Sequence, residues 1–177
     1  MNPEKLTIKI DEMTTADVDG IFEIEKASYG EHHWSKDSFY SEVSNNIARY
    51  YVAKDNNNNV LGYIGSWFII DEAHITNVSV SPDIRKKSVG EALLAYLIKQ
   101  CYKEKIKYIT LEVRISNEPA IKLYEKYQFK SLGTRKNYYQ DNNEDALIMW
   151  TENIFWDKFK LKFEEQTTKL NSRINIK

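Results

Sequence analysis

The chain has 177 residues, 42% of them hydrophobic and 29% charged, which is enough for one domain with a full core and unlike disordered or collagen-like chains. Lys and Arg total 25 against 26 Asp and Glu, for a formal charge of -1. That balance argues against a broad nucleic-acid surface and for a small-molecule or local partner. The single cysteine, Cys101, excludes an internal disulfide and a cysteine-rich zinc site and suits a reducing compartment.

The opening Met1-Asn2-Pro3-Glu4-Lys5 has no apolar stretch of the signal-peptide kind, and no run approaches the roughly 18 apolar residues of a membrane span. A cytoplasmic chain with no membrane partner is expected. Residues 6–10 alternate as a short strand, and Thr14-Thr15-Ala16-Asp17 opens a helix with Val18, Ile21, Phe22 and Glu25 at helical spacing. A loop follows through Tyr29, Glu31, His32, His33 and Trp34, and Ser35 caps a short second helix carrying Phe39 and Val43. Residues 48–53 and 60–70 read as two strands of a hairpin. Their turn, Asp55 followed by four asparagines, is explained by the tolerance of Asn for positive φ.

Residues 73–80 form the next strand. After Gly90 a helix places Leu93, Leu94, Leu97, Ile98 and Cys101 on one face, which assigns Cys101 to the core. Residues 109–113 are a strand, Asn117-Glu118-Pro119 starts a helix ending near Tyr127, and residues 129–136 with 145–150 close a hairpin. The fold class is α/β, with a mixed, mostly antiparallel sheet of about seven strands and about four flanking helices. No repeat or Pro/Gly-rich linker divides it, so one domain is expected over residues 1–150. In the extension, residues 151–177, Phe155, Phe159 and Phe163 recur at i, i+4 and i+8, predicting an amphipathic helix with a frayed Asn/Arg/Lys end.

The junction between strand 73–80 and the following helix carries the chemistry. Ser81-Pro82-Asp83-Ile84-Arg85-Lys86-Lys87-Ser88-Val89-Gly90-Glu91 sets backbone N–H groups that lack helical partners, together with three cations, at the positive end of a helix dipole. Such a junction fits a diphosphate, although most basic runs before helices are merely solvated. The run Arg-x-x-Ser-x-Gly resembles the phosphate loop of the GNAT acetyltransferases. Residues 111–129, beginning Leu111-Glu112-Val113-Arg114 and including Ser116-Asn117, Ala120-Ile121, Leu123-Tyr124 and Phe129, resemble a long block of the protein N-terminal acetyltransferases. Arg135 to Tyr139, residues 144–149 and Trp34-Ser35 are similar to the RimI group, which acetylates the first residue of a small-subunit ribosomal protein. The resemblance covers about residues 6 to 150 and leaves the extension unexplained.

The resemblance implies a single-domain GNAT fold with acetyl-CoA as cosubstrate and no metal. It implies a protein or peptide N-terminus as acceptor, with a ribosomal protein as candidate, while the charge balance leads to the expectation of no nucleic-acid partner. Cofactor contacts are expected from Val78, Ser79 and Val80, whose backbone would pair with pantetheine, and from Arg85, Lys86, Lys87, Ser88, Val89, Gly90, Glu91 and Asn117. Two positions depart from the pattern. Ser88 stands where glycine is usual and would crowd the phosphate unless its side chain points outward, and His33 replaces a proline before Trp-Ser.

An α-amine with pKa near 7.7–8.0 must lose a proton before it attacks a thioester. Period-2 alternation puts Glu112 opposite its apolar neighbours Leu111 and Val113, where it is either a salt-bridge partner or a base; the resemblance makes it the base, acting through water. The departing thiolate needs a proton. Tyr124, a core aromatic on spacing alone, becomes that donor by resemblance. Asn117 reads as an N-cap whose amide could also meet pantetheine. His74 is open between exposed residue, substrate contact and second base. His32 and His33 with Glu31 make a poor metal set. Glu31, Tyr138 and Tyr139 are candidates for gripping a peptide, with sheet packing the alternative for the tyrosines. Trp34, Trp67 and Trp150 are assigned to core or groove wall. Two other functions stay open: acetylation of a small amine or lysine, and a catalytically silent module that binds coenzyme A.

Overall fold

The computed structural model describes residues 5–177; the opening residues 1–4, read above as polar, lie outside that range. In chain order the elements are β1 (Thr7–Glu12), α1 (Val18–Tyr29), α2 (Lys36–Val43), β2 (Ala48–Lys54), β3 (Val60–Ile69), β4 (Glu72–Val80) and α3 (Val89–Lys103). Then come β5 (Tyr108–Arg114), α4 (Glu118–Lys126), β6 (Lys130–Tyr139), β7 (Glu144–Trp150), α5 (Asp157–Asn171) and β8 (Asn175–Ile176). The strands form one sheet in the order β6-β7-β5-β4-β3-β2-β1-β8. Only β4–β5 and β1–β8 pair in parallel. The expected mixed, mostly antiparallel α/β sheet is therefore present, with eight strands and five helices among the described residues instead of seven and four.

Alternation along the strands divides the core. Tyr51, Ala53 and Ile64 face one side, where they meet Leu93, Leu94, Leu97, Ile98 and Cys101 of α3. Tyr50, Val52 and Tyr63 face the other, with Ile21 and Ile24 of α1 and Phe39 of α2. Each large aliphatic side chain buried this way stabilises the fold by about 1.5–3 kcal/mol. Cys101 is buried as expected, and burial pushes its thiol well above the ordinary range. In the asparagine turn, the Asp55 carboxylate accepts the N–H groups of Asn57 and Asn59 at 2.8 and 2.9 Å, while Asn58 takes φ 63°.

The extension departs from its expected form at both ends. Its helix begins at Asp157, so Phe155 precedes it and packs edge-on against Tyr102 with ring centroids 5.3 Å apart. Phe159, Phe163, Leu170 and Ile174 join the α3 core. The end does not fray. Asn175 and Lys177 donate backbone N–H bonds to Leu6 and Ile8, each at 2.9 Å, and β8 extends the sheet beside β1.

One irregularity shapes the centre of the sheet. Gly65 of β3 stands opposite Asn77 and Ser66 opposite Ile75, which leaves Thr76 as an extra residue in β4. The Tyr50 hydroxyl holds this bulge, lying 2.9 Å from Thr76 Oγ1 and donating to Asn77 Oδ1 at 3.2 Å. Its ring lies across Gly65, where a Cβ would come within 2.2 Å of Tyr50 Cε1. β4 pairs with β5 only over residues 72–75 and 108–111. Past the bulge the two strands part. Gly65→Ala is therefore expected to destabilise the protein by about 1–3 kcal/mol, the usual cost of overpacking a filled site, read from urea unfolding.

Candidate active site

The loop after β4 enters α3 through two residues in the left-handed region, Lys86 and Ser88, both at φ 65°. Alternating backbone of this kind turns successive N–H groups toward one concavity and suits an anion. The first N–H of α3 to find a helical acceptor is that of Ala92, bonded to Ser88 O at 2.9 Å. Those of Val89, Gly90 and Glu91 have no acceptor among the described residues. Lys86 and Lys87 are exposed beside them.

The side chains of Arg85 and Glu91 are engaged within the protein. The Arg85 guanidinium turns back, donating from Nη2 to Ser28 Oγ at 3.2 Å, while Ser28 Oγ also accepts from Ser79 Oγ at 2.8 Å. Arg85 thus ties the loop to the last turn of α1. The Glu91 carboxylate is enclosed by Lys126, the Tyr127 hydroxyl and Arg173. Burial opposes its charge, but these donors hold it below the usual carboxylate range, leaving only its backbone N–H toward the loop. Ser88 Oγ points to the C-terminal segment and accepts from Arg173 Nη1 at 3.0 Å.

Val78, Ser79 and Val80 lie on the stretch of β4 that has lost its β5 neighbour. The Tyr29 hydroxyl reaches across from α1 to donate to Val78 O at 3.3 Å. On β5, Leu111 and Val113 are buried toward α3 while Glu112 projects to the other face with its side chain 26% exposed, and Arg135 Nη2 sits 3.3 Å from its carboxylate. Both readings of Glu112 thus find a geometric basis: it has an ion-pair partner and its carboxylate is partly exposed. Tyr124 is buried against Phe129, ring centroids 5.6 Å apart. Its hydroxyl makes no hydrogen bond among the described residues and is not wholly enclosed. Burial chiefly, with Tyr29 and Tyr139 nearby, raises its pKa far above the ordinary phenol value. Asn117 Oδ1 caps α4 by accepting from Ala120 N at 3.3 Å. His74 is tied to Glu72 at 3.1 Å and faces the Trp150 ring.

Two segments flank the parted strands. In the β6–β7 hairpin the register slips between Arg135 and Tyr139, and Asn137 takes φ 52°. Tyr138 and Tyr139 meet edge to face at 5.2 Å. The Arg114 guanidinium lies 3.9 Å from the Tyr139 ring centroid and binds Asp141 and Glu144 at 2.7 and 3.2 Å. Burial, opposed by Arg114 and assisted by Tyr138, Tyr29 and Glu112, pushes the Tyr139 hydroxyl up to about 12. Opposite lies the loop at residues 30–35, where Glu31 is exposed. Its His32 faces Asp141 closely enough to add to Arg114 in holding that carboxyl below its usual range. Trp67 donates to Glu42 at 2.8 Å, and Trp34 packs on Phe39 at 5.7 Å. No group of three or more His, Cys, Asp or Glu among the described residues converges on a metal position.

Residues 18–129 match the Acetyltransferase (GNAT) family. The chain belongs to that family. It is, with the family, an acetyl-CoA-dependent N-acetyltransferase. It is 42% identical over 138 residues, 78% of its own length and 91% of the relative's, to a Bacillus subtilis (strain 168) protein provisionally named ribosomal protein bS18-alanine N-acetyltransferase. It is 32% identical over 142 residues to the Escherichia coli (strain K12) ribosomal protein bS18-alanine N-acetyltransferase, covering 79% of this chain and 94% of that one. The crystal structure of the E. coli ribosomal-protein-S18-alanine N-acetyltransferase superposes with TM-score 0.75 at 31% identity, over 82% of this chain and 94% of that one. Ard1 from Thermoplasma volcanium gives TM-score 0.75 at 26% identity, over 82% and 97%.

Three participants in the site were not singled out from sequence. Tyr29 and Arg173 act through contacts with residues far along the chain, which leave no local pattern. Glu25 did carry a signal, a carboxylate at a core position of α1. It accepts the Trp34 N–H at 3.2 Å and the Tyr63 hydroxyl, fixing the loop to α1 and β3. Burial raises its pKa, against the lowering effect of these donors and His33. A folded-state carboxyl pKa above the unfolded value means that the fold holds the extra proton, so this group costs stability as pH rises above the unfolded pKa. Glu25→Gln is accordingly expected to be less harmful, relative to the parent, at pH 7 than at pH 4, with urea unfolding at both pH values as the measurement.

Proposed function

We propose that the chain transfers the acetyl group of acetyl-CoA to the N-terminal α-amine of a protein, with a ribosomal protein as the candidate acceptor. The observation carrying this reading is that Glu112 and Tyr124 both lie close to Tyr139, and Tyr124 also to Tyr29, whose hydroxyl reaches the unpaired stretch of β4, with the loop at residues 30–35 facing the hairpin. The names of the relatives support the acceptor. In this reading the cofactor's diphosphate lies on the amides of residues 88–91 with Lys86 and Lys87 as counter-charges. Its pantetheine runs along residues 78–80, adding main-chain bonds where β5 has withdrawn. Asn117 keeps its capping bond and offers its amide to the same arm.

Glu112 takes the proton from the α-amine through a water, and the neutral nitrogen attacks the thioester carbon. An N–H of the β4 edge steadies the oxyanion. When the tetrahedral intermediate collapses, the C–S bond breaks and Tyr124, held as the neutral phenol by its environment, gives its proton to sulfur; the phenolate then takes up the second proton that the nitrogen sheds as it becomes the amide, and the proton on Glu112 passes to solvent. The products are an amide and the free thiol of coenzyme A. Tyr138, Tyr139 and Glu31 grip the acceptor backbone and amine. The enzyme is cytoplasmic in this reading, as its one buried thiol suits, and residues 1–150 form the catalytic domain. No described helix is long and apolar enough to cross a membrane.

Glu112→Gln and Tyr124→Phe are each expected to lower turnover roughly 10²–10⁴-fold with acetyl-CoA affinity kept, the range for loss of a general acid or base. Rates near those of the parent across pH in an intact fold would make Glu112 a structural ion-pair partner. For the acceptor, mass spectrometry of short peptides with a small first residue should find acetylation at the α-amine and none when that amine is blocked. Modification of lysine in the blocked peptide, or faster turnover of polyamines, would contradict the N-terminal assignment.

A further inference from the structure

Ser88 occupies a left-handed conformation, φ 65° and ψ 11°, which an L side chain rarely adopts without support. Its only side-chain hydrogen bond among the described residues comes from Arg173 Nη1 at 3.0 Å. The same guanidinium donates from Nη2 to Glu91 at 2.9 Å and from Nε to Lys169 O at 3.3 Å. All three of its nitrogens are therefore engaged within the protein. Its backbone is mounted just as firmly. Arg173 N bonds to Leu170 O at the end of α5, Ile174 is 1% exposed, and Asn175 enters the β8–β1 pairing. A fixed three-pronged cation thus reaches across from the C-terminal segment to the first turn of α3. There it touches Ser88, and it touches Glu91, whose carboxylate also anchors α4 through Lys126. Arg173 lies well beyond the family match at residues 18–129.

We propose that Arg173 is a positioning residue for the phosphate loop, holding Ser88 in the conformation from which the loop's free amides face the diphosphate of acetyl-CoA. This rests on the proposed assignment of that loop. It gives the extension a task, since removing the clamp should loosen cofactor binding without touching the reacting atoms. It also accounts for a serine where a glycine would adopt the same backbone unaided: the serine needs the arginine, and a glycine would not.

The test measures acetyl-CoA dissociation constants by calorimetry, and kcat and KM for both substrates, in five proteins: the parent, R173A, R173K, S88G and S88G/R173A. R173A is expected to raise the acetyl-CoA Kd and KM about tenfold, the size of coupling typical between contacting residues, with kcat at saturation and the peptide KM unchanged. R173K keeps a charge beside Glu91 but cannot span both partners, so it should raise the same constants less; it also serves if R173A does not fold. In the S88G background the loss of Arg173 should have little effect on Kd. Parent-like Kd in both R173A and R173K overturns the proposal, and so does an equal loss in the S88G background, which would make Arg173 a direct phosphate ligand or a general brace. Lys86→Ala/Lys87→Ala is the control: if it leaves acetyl-CoA affinity unchanged at low salt, the loop assignment itself fails, and the proposal with it.

Discussion

The extra residue in β4 is the constraint on which the rest of the site depends. With Thr76 accommodated, β4 cannot stay in register with β5, and a sheet that would otherwise be continuous opens at its centre. The opening exists because Tyr50 lies flat across Gly65 and holds Thr76 and Asn77 with one hydroxyl. A sheet offers few places where unpaired main chain can remain inside a protein, since each unpaired group must find water, a side chain or a ligand. Here the parted strands supply such groups, and α1 reaches one of them through Tyr29. The residues proposed for the chemistry are arranged along the edges of that gap: the loop into α3 at one end, Glu112 on the far strand, and Tyr124 on the helix that follows it.

Electrostatics in the molecule is local. The near-zero formal charge conceals tight groupings, such as Glu91 with Lys126 and Arg173, and Arg114 with Asp141 and Glu144. The exposed pairs among them add little to stability. Their value is geometric. The first fixes the start of α3 against α4 and the C-terminal segment; the second stiffens the hairpin under Tyr139. Lys86 and Lys87 stand out by contrast, because they are exposed, adjacent and without a carboxylate partner among the described residues.

Much of this was legible in the sequence, and the boundary between what was and was not is physical. Period-2 alternation put Glu112 on the face opposite Leu111 and Val113, and helical spacing buried Cys101, because both depend on neighbours a few residues away. The same holds for the Asn117 cap and the asparagine turn. The bulge at Thr76 was not legible, since it is decided by a tyrosine two strands away. Nor were Arg173 and β8, whose partners lie at the other end of the chain. Spacing also misled at Phe155, which keeps the helical interval but stands before the helix, packed on Tyr102. The protein partners of the Arg85 and Glu91 side chains were not legible either, Ser28 for the one and Lys126, Tyr127 and Arg173 for the other, since they lie far along the chain. The roles of Glu112, Tyr124 and the hairpin tyrosines rest on resemblance and placement together.

The pairing of β8 with β1 joins residues separated by 168 positions, as the Asn175 to Thr7 contact shows. At 5–20 residues per second of translation, the first strand is made roughly ten to thirty seconds before its outer neighbour exists. During that interval its outer edge is bare, a state in which strands invite the wrong partner. The charged Lys9, Asp11 and Glu12 make that edge a poor template for another chain. Because the segment that closes the sheet also carries Arg173, a nascent chain can have β4 and β5 in place and still lack the Arg173 contact with Ser88. Cofactor capture would then wait for that segment to dock, and acetyl-CoA would favour chains whose β8 is in place over those whose outer edge is still bare.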